Sequence, residues 1–402
     1  MTMKARALLV GVVLLAEMSL VGCGHYVCDT TFGSGTCSSA GGGLSGGGSG
    51  NSDSVTTLGY FVDFGQTGDN SGGMALQKLD SNAGTFLSQS SFVAPSLPNF
   101  PSGLIIVNQR FMYVPSLDGQ LSAYTIDLST GELTSVGSAY VVAGGDSIAS
   151  NPSGNLLFVG DVVGQQISVF TVNSDATLTP VVGSPFSTSG VNPYIMATDG
   201  QGRFLYATAG VGSAQMAAFS IAGGGALTAI AGSPFSSNMA GIAGEPSGKY
   251  LFGITQQASD KHVYVFSIDS STGLLVQVGS PVLTSGTPRN LSVHPNGKWV
   301  YALNRDPVLA TIEPVEGFEF DNGSGTLTPL GGSPYANLLA DGGPIEPSGH
   351  FMFGLGLIRL NGSVSAVSPY TIDQTTGDLS STIQSEGFPG IDMAAYAVTN
   401  VQ

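Results

Sequence analysis

The sequence predicts an all-β protein, and three of its features carry that prediction. Charged residues make up only 9% of the 402 residues, against about 25% in ordinary globular proteins. Glycine is very frequent, with 59 residues, which favours short strands joined by tight turns over helices. Several short phrases also recur along the chain at a nearly constant spacing, which indicates a repeated structural unit.

The clearest repeat is a turn of the form xPxG. Its copies end at Gly154, Gly202, Gly248, Gly297 and Gly349, and they lie about 48 residues apart. Two further phrases, typified by VGSPF and YTID, keep the same spacing. Each unit therefore contains four apolar stretches separated by turn signals, which is the pattern of a four-stranded blade in a β-propeller.

Counting the units predicts a seven-bladed β-propeller of four-stranded antiparallel blades over residues 55–402. Five copies carry the full turn, and a degenerate sixth begins at Gly103. The seventh is split, because residues 55–92 supply three strands and the stretch from Gly390 supplies the fourth. We expect this C-terminal strand to join the N-terminal blade and close the ring, which removes exposed sheet edges.

An aspartate ends the third strand of most units, just before a glycine-containing turn. We expect its carboxylate to accept hydrogen bonds from the turn backbone, as in an Asx-turn. A ring of acidic turns could instead bind calcium, but none of them matches the EF-hand pattern. The sequence therefore predicts no metal site and no cofactor. These aspartates are Asp80, Asp127, Asp269, Asp321 and Asp373.

The first 22 residues have the features of a lipoprotein signal peptide. Lys4 and Arg6 precede an apolar run, Ala7 to Ala16, that is too short to span a bilayer comfortably. The following Leu-Val-Gly-Cys sequence resembles the lipobox of bacterial lipoproteins, which implies that Cys23 is lipidated and becomes the mature N-terminus. An ordinary secretory signal with a chance cysteine is the alternative.

Residues 23–54 are expected to form a lipidated, Gly/Ser-rich tether. Cys28 and Cys37 remain as an even pair in an oxidising compartment, which favours a small disulfide loop between them. The anchor places the protein in the bacterial cell envelope, on the outer membrane or cell surface of a Gram-negative cell. The membrane would then be its partner through the lipid. We expect the protein to be a monomer.

The strand phrases resemble those of a known family. The stretch TPRNLSVHPNGKWVYALN, from Thr287 to Asn304, and YAVTN, from Tyr396 to Asn400, look like the YVTN and lactonase-type seven-bladed propellers, which include bacterial 6-phosphogluconolactonase. This resemblance covers nearly all of residues 55–400. It implies a propeller fold, and it implies lactonase or cycloisomerase chemistry as one function.

Two positions depart from the family pattern. In its enzymes the arginine of PRH and the glutamate of VNE are candidate catalytic groups near the central mouth. Arg289 matches that arginine, whereas Asn290 stands in place of the histidine and Arg305 in place of the glutamate. A carboxylate that could move a proton is thus replaced by a permanent cation.

Residues that share a register around the ring should lie together at the mouth of the channel. The position eight residues before each turn glycine holds Asp146, Tyr194, Ala240, Arg289 and Asp341, and Asp392 is expected to join them. The loops between second and third strands add further charge, with Asp118, Asp161, Arg305, Asp306 and Arg359. The alternative is that loop tips are simply where charged residues are placed. His294 and Trp299 are expected to be structural.

Two classes of function remain. The favoured one is a non-catalytic binding module whose mouth takes a small polar ligand, a glycan or a protein loop through Arg289, Asn290, Tyr194, Arg305 and Asp392. The other is a lactonase-type hydrolase or isomerase, in which Arg289 stabilises an oxyanion and Asp341 or Asp146 activates water. The net charge of −16 excludes nucleic acid as a partner, because both molecules are acidic.

Overall fold

The computed structural model describes residues 56–63, 74–80, 85–92, 97–98, 100–142, 144–212, 214–305, 313–340, 342–359, 363–381, 386–389 and 393–401. The expected signal peptide and tether, with Cys23, Cys28 and Cys37, lie outside these residues. Within the described part of the chain, no helix is long and apolar enough to cross a membrane.

The described strands pair into seven antiparallel sheets. Sheet 1 contains β1 (Thr56–Asp63), β2 (Met74–Asp80) and β3 (Thr85–Phe92). Sheet 2 contains β4 (Ile105–Val107), β5 (Phe111–Ser116), β6 (Gln120–Ile126), β7 (Leu133–Ser135) and β8 (Tyr140–Val141). Sheet 3 contains β9 (Ser147–Ser150), β10 (Leu156–Asp161), β11 (Gln166–Val172), β12 (Leu178–Pro180) and β13 (Phe186–Ser187).

The second half of the chain continues the pattern. Sheet 4 contains β14 (Ile195–Thr198), β15 (Phe204–Thr208), β16 (Gln215–Ile221), β17 (Leu227–Ala229) and β18 (Phe235–Ser236). Sheet 5 contains β19 (Gly241–Gly244), β20 (Tyr250–Ile254), β21 (His262–Ile268), β22 (Leu275–Gln277) and β23 (Val282–Leu283). Sheet 6 contains β24 (Pro288–Val293), β25 (Trp299–Asn304), β26 (Pro314–Asp321), β27 (Thr326–Pro329) and β28 (Tyr335–Leu339). Sheet 7 contains β29 (Phe351–Arg359), β30 (Ser363–Ile372), β31 (Leu379–Ser380) and β32 (Glu386–Pro389), and β33 (Met393–Val401) is the last strand.

Buried residues on both faces hold neighbouring sheets together. The second strands β5, β10, β20 and β25 are buried along their whole length, as expected of strands covered on both faces. Six apolar cores are described, and they join sheets 1 and 2, 2 and 3, 3 and 4, 4 and 5, 5 and 6, and 6 and 7. Four-stranded units packed face to face in chain order make this an all-β propeller, which confirms that part of the prediction.

The fourth strand of the predicted unit is broken into two short segments. In sheets 2 to 7 both segments pair with the third strand. In sheets 3 to 6 a Gly-Ser-Pro sequence lies in the break, and sheets 3, 4 and 6 share a contact at its serine. There the serine Oγ accepts the N–H of a third-strand residue: Val169 at Ser184 over 2.8 Å, Ala218 at Ser233 over 2.9 Å, and Gly317 at Ser333 over 3.1 Å. The serine thus satisfies an N–H that an unbroken strand would bond.

We call the turns between first and second strands and between third and fourth strands the lower end. The predicted Asx-turns lie there: Asp127 Oδ1 accepts the N–H groups of Ser129 and Thr130, and Asp269 Oδ1 accepts those of Ser271 and Thr272. The hydroxyls of Ser129 and Ser271 also donate to these carboxylates, and together with the backbone bonds they lower the pKa of both exposed carboxyls, to about 2 for Asp127. Asp321 and Asp373 make the same turn, and the turn after Asp80 lies outside the described residues.

In four sheets a tyrosine of the second strand is hydrogen-bonded to the lower-end turn of the following sheet; in sheet 1 this strand is β1, which lies between β33 and β2. Its hydroxyl donates to a turn carbonyl: Tyr60 to Gly131 over 2.8 Å, Tyr113 to Ala176 over 2.9 Å, Tyr206 to Gly273 over 2.7 Å, and Tyr301 to Gly377 over 2.7 Å. Burial is the main cause that raises the pKa of all four phenols. These bonds fix the spacing of neighbouring sheets.

His294 and Trp299 are structural, as expected. His294 is buried in the turn between β24 and β25, and its Nε2 lies 2.8 Å from Gly349 O in sheet 7. Its ring packs edge-on against Trp299, with 4.7 Å between centroids.

The C-terminal strand pairs with the N-terminal strand. β33 runs antiparallel to β1, from Thr56 opposite Val401 to Asp63 opposite Met393. The pairing predicted for this strand is therefore present. The side chains through which sheet 7 would face sheet 1 lie largely outside the described part of the chain.

Candidate functional site

The other end of the sheets, which we call the upper end, is formed by the loops between second and third strands and by the segments that join one sheet to the next. The first strands β9, β14, β19 and β24 contact one another in succession, so they line the inside of the assembly. A residue at the upper end of a first strand therefore lies beside both the inner wall and the loops. Arg289 holds that position in sheet 6.

Arg289 occupies a β-bulge. Pro288 pairs with Asn304 and Asn290 pairs with Leu303, so Arg289 is an extra residue that no partner in β25 opposes. A bulge bends the strand and changes the direction of a side chain, and bulges are frequent beside active sites. Arg289 is only 2% exposed, which is rare for an arginine. The PRN phrase, unique in this chain, thus encodes a local break in the repeat.

The guanidinium of Arg289 reaches the preceding sheet. Its Nη1 donates to the backbone oxygen of Gln256 over 3.2 Å, and Gln256 Nε2 donates back to Arg289 O over 2.6 Å. Gln256 lies in the loop between β20 and β21 and is also 2% exposed. The partner expected in the following sheet, Asp341, lies outside the described residues. Pairing of Arg289 with Asp341 or Asp146 stays a prediction.

The loop that carries Gln256 is held by a small polar cluster. Asp260 Oδ1 lies 2.7 Å from His262 Nδ1, and Asp260 Oδ2 accepts the hydroxyl of Tyr264 over 2.8 Å. Burial, followed by this bond, raises the pKa of Tyr264 to about 12. The backbone oxygen of Asp260 accepts the hydroxyl of Thr255 over 3.1 Å. These contacts close the loop and so set the position of Gln256.

Two glutamates supply carboxylates to the segment before Arg289. Glu313 Oε2 accepts the N–H of Thr287 over 2.7 Å. Glu316 Oε1 accepts both the N–H and the hydroxyl of Ser285 over 2.7 Å, and the amide of Asn304 over 3.1 Å. A Cβ on Gly286 would lie 2.5 Å from Glu313 Oε2, so glycine leaves room for this carboxylate. Carboxylates are therefore present although Arg305 replaces the family glutamate.

The other predicted ligand-binding residues are distributed around the same end. Arg305 is 9% exposed and its N–H donates to Thr287 O over 2.9 Å, which places it beside the segment that leads to Arg289. Asn290 is half-buried and its Oδ1 accepts the N–H of Leu291. Tyr194 is half-buried at the start of β14. Asp392 lies outside the described residues.

Two predicted acids of sheet 3 support loop structure. Asp146 Oδ2 accepts the N–H of Val162 over 2.8 Å. Asp161 Oδ1 accepts the N–H of Gly164 over 2.7 Å, and its Oδ2 accepts the amide of Gln166 over 3.0 Å. For Asp161, these bonds favour the interpretation that its charge shapes the loop.

Sequence reasoning missed Gln256, Glu313 and Glu316. The glutamates had a detectable signal, because acids in a strand phrase are unusual in a chain with so few charges. Gln256 had none, since glutamine in a loop is ordinary and only its burial and its bond to Arg289 single it out.

The comparisons with known proteins agree with this architecture. Residues 233–337, which include Gln256, Arg289 and Glu313, match the family model "Lactonase, 7-bladed beta-propeller". This stretch of the chain therefore resembles the lactonase family. No curated protein is similar enough in sequence to count as a match.

Solved structures of other proteins share the fold of most of the chain. A putative 6-phosphogluconolactonase from Bacteroides uniformis is 21% identical, with a TM-score of 0.67, and the alignment covers 86% of this chain and 100% of that one. The periplasmic gluconolactonase of Pseudomonas aeruginosa is 18% identical, with a TM-score of 0.62, over 87% of this chain and 99% of that one. At these identities the likeness concerns the fold. The predicted resemblance is confirmed at that level.

Proposed function

We propose that the upper end of sheets 5 and 6 binds a small carboxylic acid at Arg289 and that the protein hydrolyses the corresponding lactone. The observation that carries this proposal is the buried Arg289 at a bulge inside the stretch that matches the lactonase model. A guanidinium offers a planar pair of donors to a carboxylate, and it stabilises the oxyanion that forms when a lactone carbonyl is attacked.

The hydrolytic step needs a base, and Glu313 is the proposed one. Its position is fixed by the bond to Thr287 N, two residues before Arg289, and the residue is half-buried. Glu313 takes a proton from water while the water oxygen bonds to the lactone carbonyl carbon. The ring C–O bond then breaks, and its oxygen takes up the proton held by Glu313, which leaves a hydroxy acid and restores the base. Asp341 and Asp146 are the alternative bases.

The test is turnover of glucono-1,5-lactone and other sugar lactones by the full chain purified in detergent, corrected for spontaneous hydrolysis. Glu313→Gln keeps an acceptor for Thr287 N and removes the base, so the rate should fall by about 10²- to 10⁴-fold. Arg289→Ala should lower the rate by about 10²- to 10³-fold, and Arg289→Lys should restore only part of it. Asp341→Asn and Asp146→Asn test the alternatives. A wild-type rate equal to the spontaneous rate would contradict the hydrolase.

Binding without turnover is the second candidate function. Arg305 at the position of the family glutamate and the engagement of Glu316 with Ser285 and Asn304 favour it. In that case Arg289→Ala should abolish binding of a sugar acid, a glycan or a protein loop, measured by calorimetry, while the wild type shows no rate above the spontaneous one.

The number of blades and the closure of the ring are also part of the proposal. We propose that the seven sheets are seven blades and that β33 closes the ring, which the pairing of β33 with β1 supports. Deleting residues 390–402 should cost several kcal/mol and promote aggregation, because it exposes the edge of β1. Deleting residues 24–54 is the control and should leave the melting temperature unchanged. Equal melting temperatures for both deletions would contradict closure.

The anchor is proposed on the sequence before Cys23. We propose a monomer held in the cell envelope by lipid on Cys23, with residues 24–54 as a tether that carries a Cys28–Cys37 disulfide. Cys23→Ser should prevent lipidation and move the protein out of the detergent phase in a partitioning assay. Unchanged partitioning with an unchanged mature N-terminus would exclude the lipoprotein.

A further inference from the structure

Gln256 has an unusual backbone conformation. Its φ angle is 56°, in the left-handed region that residues with side chains seldom adopt, and it is 2% exposed. Such conformations persist where the surrounding structure enforces them, and they are concentrated at ligand-binding and active sites. Here the backbone is held by the two hydrogen bonds that Gln256 makes with Arg289.

The side-chain amide of Gln256 is half satisfied. Nε2 donates to Arg289 O over 2.6 Å, whereas Oε1 is buried and has no hydrogen-bond partner among the described residues. This contact also settles which amide atom is which, because the reverse placement would put two acceptor oxygens 2.6 Å apart. A buried acceptor without a partner is costly, so it is normally met by water or by a ligand.

The unsatisfied oxygen lies next to the proposed anchor. Gln256 binds both the main chain and the guanidinium of Arg289, so the two residues form one unit across sheets 5 and 6. A second buried acceptor belongs to the same region: Asn304 Oδ1 has no partner within the described chain either, and Asn304 pairs with Pro288. The proposed carboxylate site is thus bordered by two acceptor oxygens that a hydrogen-bond donor of a ligand could satisfy.

We propose that Gln256 determines ligand specificity: its Oε1 accepts a hydrogen bond from a hydroxyl group of the molecule whose carboxylate Arg289 holds. This inference rests on the proposed function and adds a rule of selectivity to it. An acid with hydroxyl groups binds, whereas an acid of equal length without them leaves the oxygen buried and unpaired. A site built for a hydrogen bond discriminates strongly against a ligand that cannot make it.

Gluconate and hexanoate are suitable probes, because each has six carbons and one carboxylate and only gluconate carries hydroxyl groups. The wild-type full chain should bind gluconate at least about tenfold more tightly than hexanoate in calorimetry. Gln256→Met has a side chain of similar length and only a weak acceptor. It should weaken gluconate binding until the preference is lost, and it should leave hexanoate binding unchanged.

Two further variants separate recognition from folding. Gln277→Met is the matched control, since Gln277 lies exposed on the outer strand β22, and it should leave both affinities unchanged. Gln256→Gly removes the side chain at a φ angle that glycine adopts freely, so it should fold and still lose the preference for gluconate. Circular dichroism of each variant establishes that the fold is intact.

The outcomes distinguish this inference from the function it rests on. If Gln256→Met and Gln256→Gly fold and keep the wild-type preference for gluconate, the role of Gln256 is overturned and the carboxylate site stands. If both variants weaken gluconate and hexanoate equally, Gln256 acts only by positioning Arg289, and the specificity role is again overturned. If the wild type binds neither probe, the proposed function fails and this inference fails with it.

Discussion

The lower and upper ends of the sheets are built on different principles. At the lower end the same contacts return from sheet to sheet, as in the tyrosines that bond the next turn and the aspartates that close it. At the upper end the register position of Arg289 holds Asp146 in sheet 3, Tyr194 in sheet 4 and Ala240 in sheet 5. Equivalent positions in successive sheets thus carry unrelated side chains at the upper end and repeated ones at the lower end.

This difference separates the residues that build the fold from those available for function. Similar polar groups recur in the lower-end turns, so the same residue types satisfy them in several sheets. The upper end is less uniform, and its bulge at Arg289, its left-handed Gln256 and its two glutamates break the repeat. Departures from a repeat are therefore the informative positions in such a chain.

The largest effect should come from ionising the lower-end tyrosines. Burial raises the pKa of Tyr60, Tyr113, Tyr206 and Tyr301 above the ordinary value of 10.0. The unfolded chain therefore loses these protons first as the pH rises, and folding stability, complete below pH 10, falls above it. Each tyrosine should contribute about 1.4 kcal/mol per pH unit between its unfolded and folded pKa, or about 5–6 kcal/mol per unit for the four.

Urea unfolding between pH 8 and 11.5 measures this slope, and phenolate absorbance shows whether ionisation accompanies unfolding. Tyr206→Phe should reduce the slope by about 1.4 kcal/mol per pH unit. A folded protein that titrates all its tyrosines near pH 10 would show that the lower end is not closed to water.

A methyl group at a lower-end turn should have the next largest effect. Gly273 has φ of 74°, and a Cβ there would lie 2.5 Å from Phe204 Cδ1. Gly273→Ala combines a left-handed alanine, which costs about 1–2 kcal/mol, with overpacking, which costs about 1–3 kcal/mol. Gly279 has φ of 61° and nothing within 4 Å of a Cβ, so Gly279→Ala should show the first cost alone. Equal free energies of unfolding for the two variants would argue against tight packing between sheets.

The repeat made the fold predictable to a large extent. The spacing of the xPxG glycines placed every second strand from β10 to β29, and the split unit placed β33 beside β1. The break in the fourth strand could not be predicted, because it depends on how the serine of Gly-Ser-Pro meets the third strand. In sheet 7 the predicted first strand is reduced, among the described residues, to an isolated bridge between Ile345 and Met352.

The site was predictable only where the sequence departs visibly from its own repeat. The PRN phrase led to Arg289, whose burial and bulge the structure shows. Its contact with Gln256 joins strand β24 of sheet 6 to a loop of sheet 5 and depends on a backbone angle that no residue type signals. Glu313 and Glu316 reach the segment before Arg289 from a neighbouring strand, which only the pairing of β25 with β26 reveals.

A smaller effect is expected where the lower-end repeat has a gap. Tyr301 donates to Gly377 O, whereas the equivalent residue of sheet 5 is Phe252, which has no hydroxyl to offer the turn at Gly325. Tyr301→Phe leaves a buried carbonyl without its donor and should cost about 1–2 kcal/mol. Phe252→Tyr should gain up to about 1 kcal/mol. If urea unfolding shows that both variants are less stable than the wild type, a tyrosine at position 252 does not gain the hydrogen bond that Tyr301 makes.

The smallest effect on stability should come from a methyl group at the upper end, and it should carry a large effect on function. A Cβ on Gly286 would lie 2.5 Å from Glu313 Oε2 and 2.7 Å from Asn304 Cβ. The Glu313 carboxylate is half-buried and can swing away, whereas Asn304 belongs to the buried strand β25, so the loop at Gly286 must shift. Gly286→Ala should therefore cost about 1 kcal/mol in urea unfolding, the lower end of the cost of overpacking. The displaced carboxylate no longer accepts the N–H of Thr287, so the proposed base leaves its position beside Arg289 and lactone turnover should fall at least about tenfold. Gly223→Ala is the control, because a Cβ on Gly223 meets nothing within 4 Å and turnover should not change. Full turnover in Gly286→Ala would show that Glu313 only stabilises the loop. The upper-end residues would then differ in sequence from the lower-end ones but share their structural role.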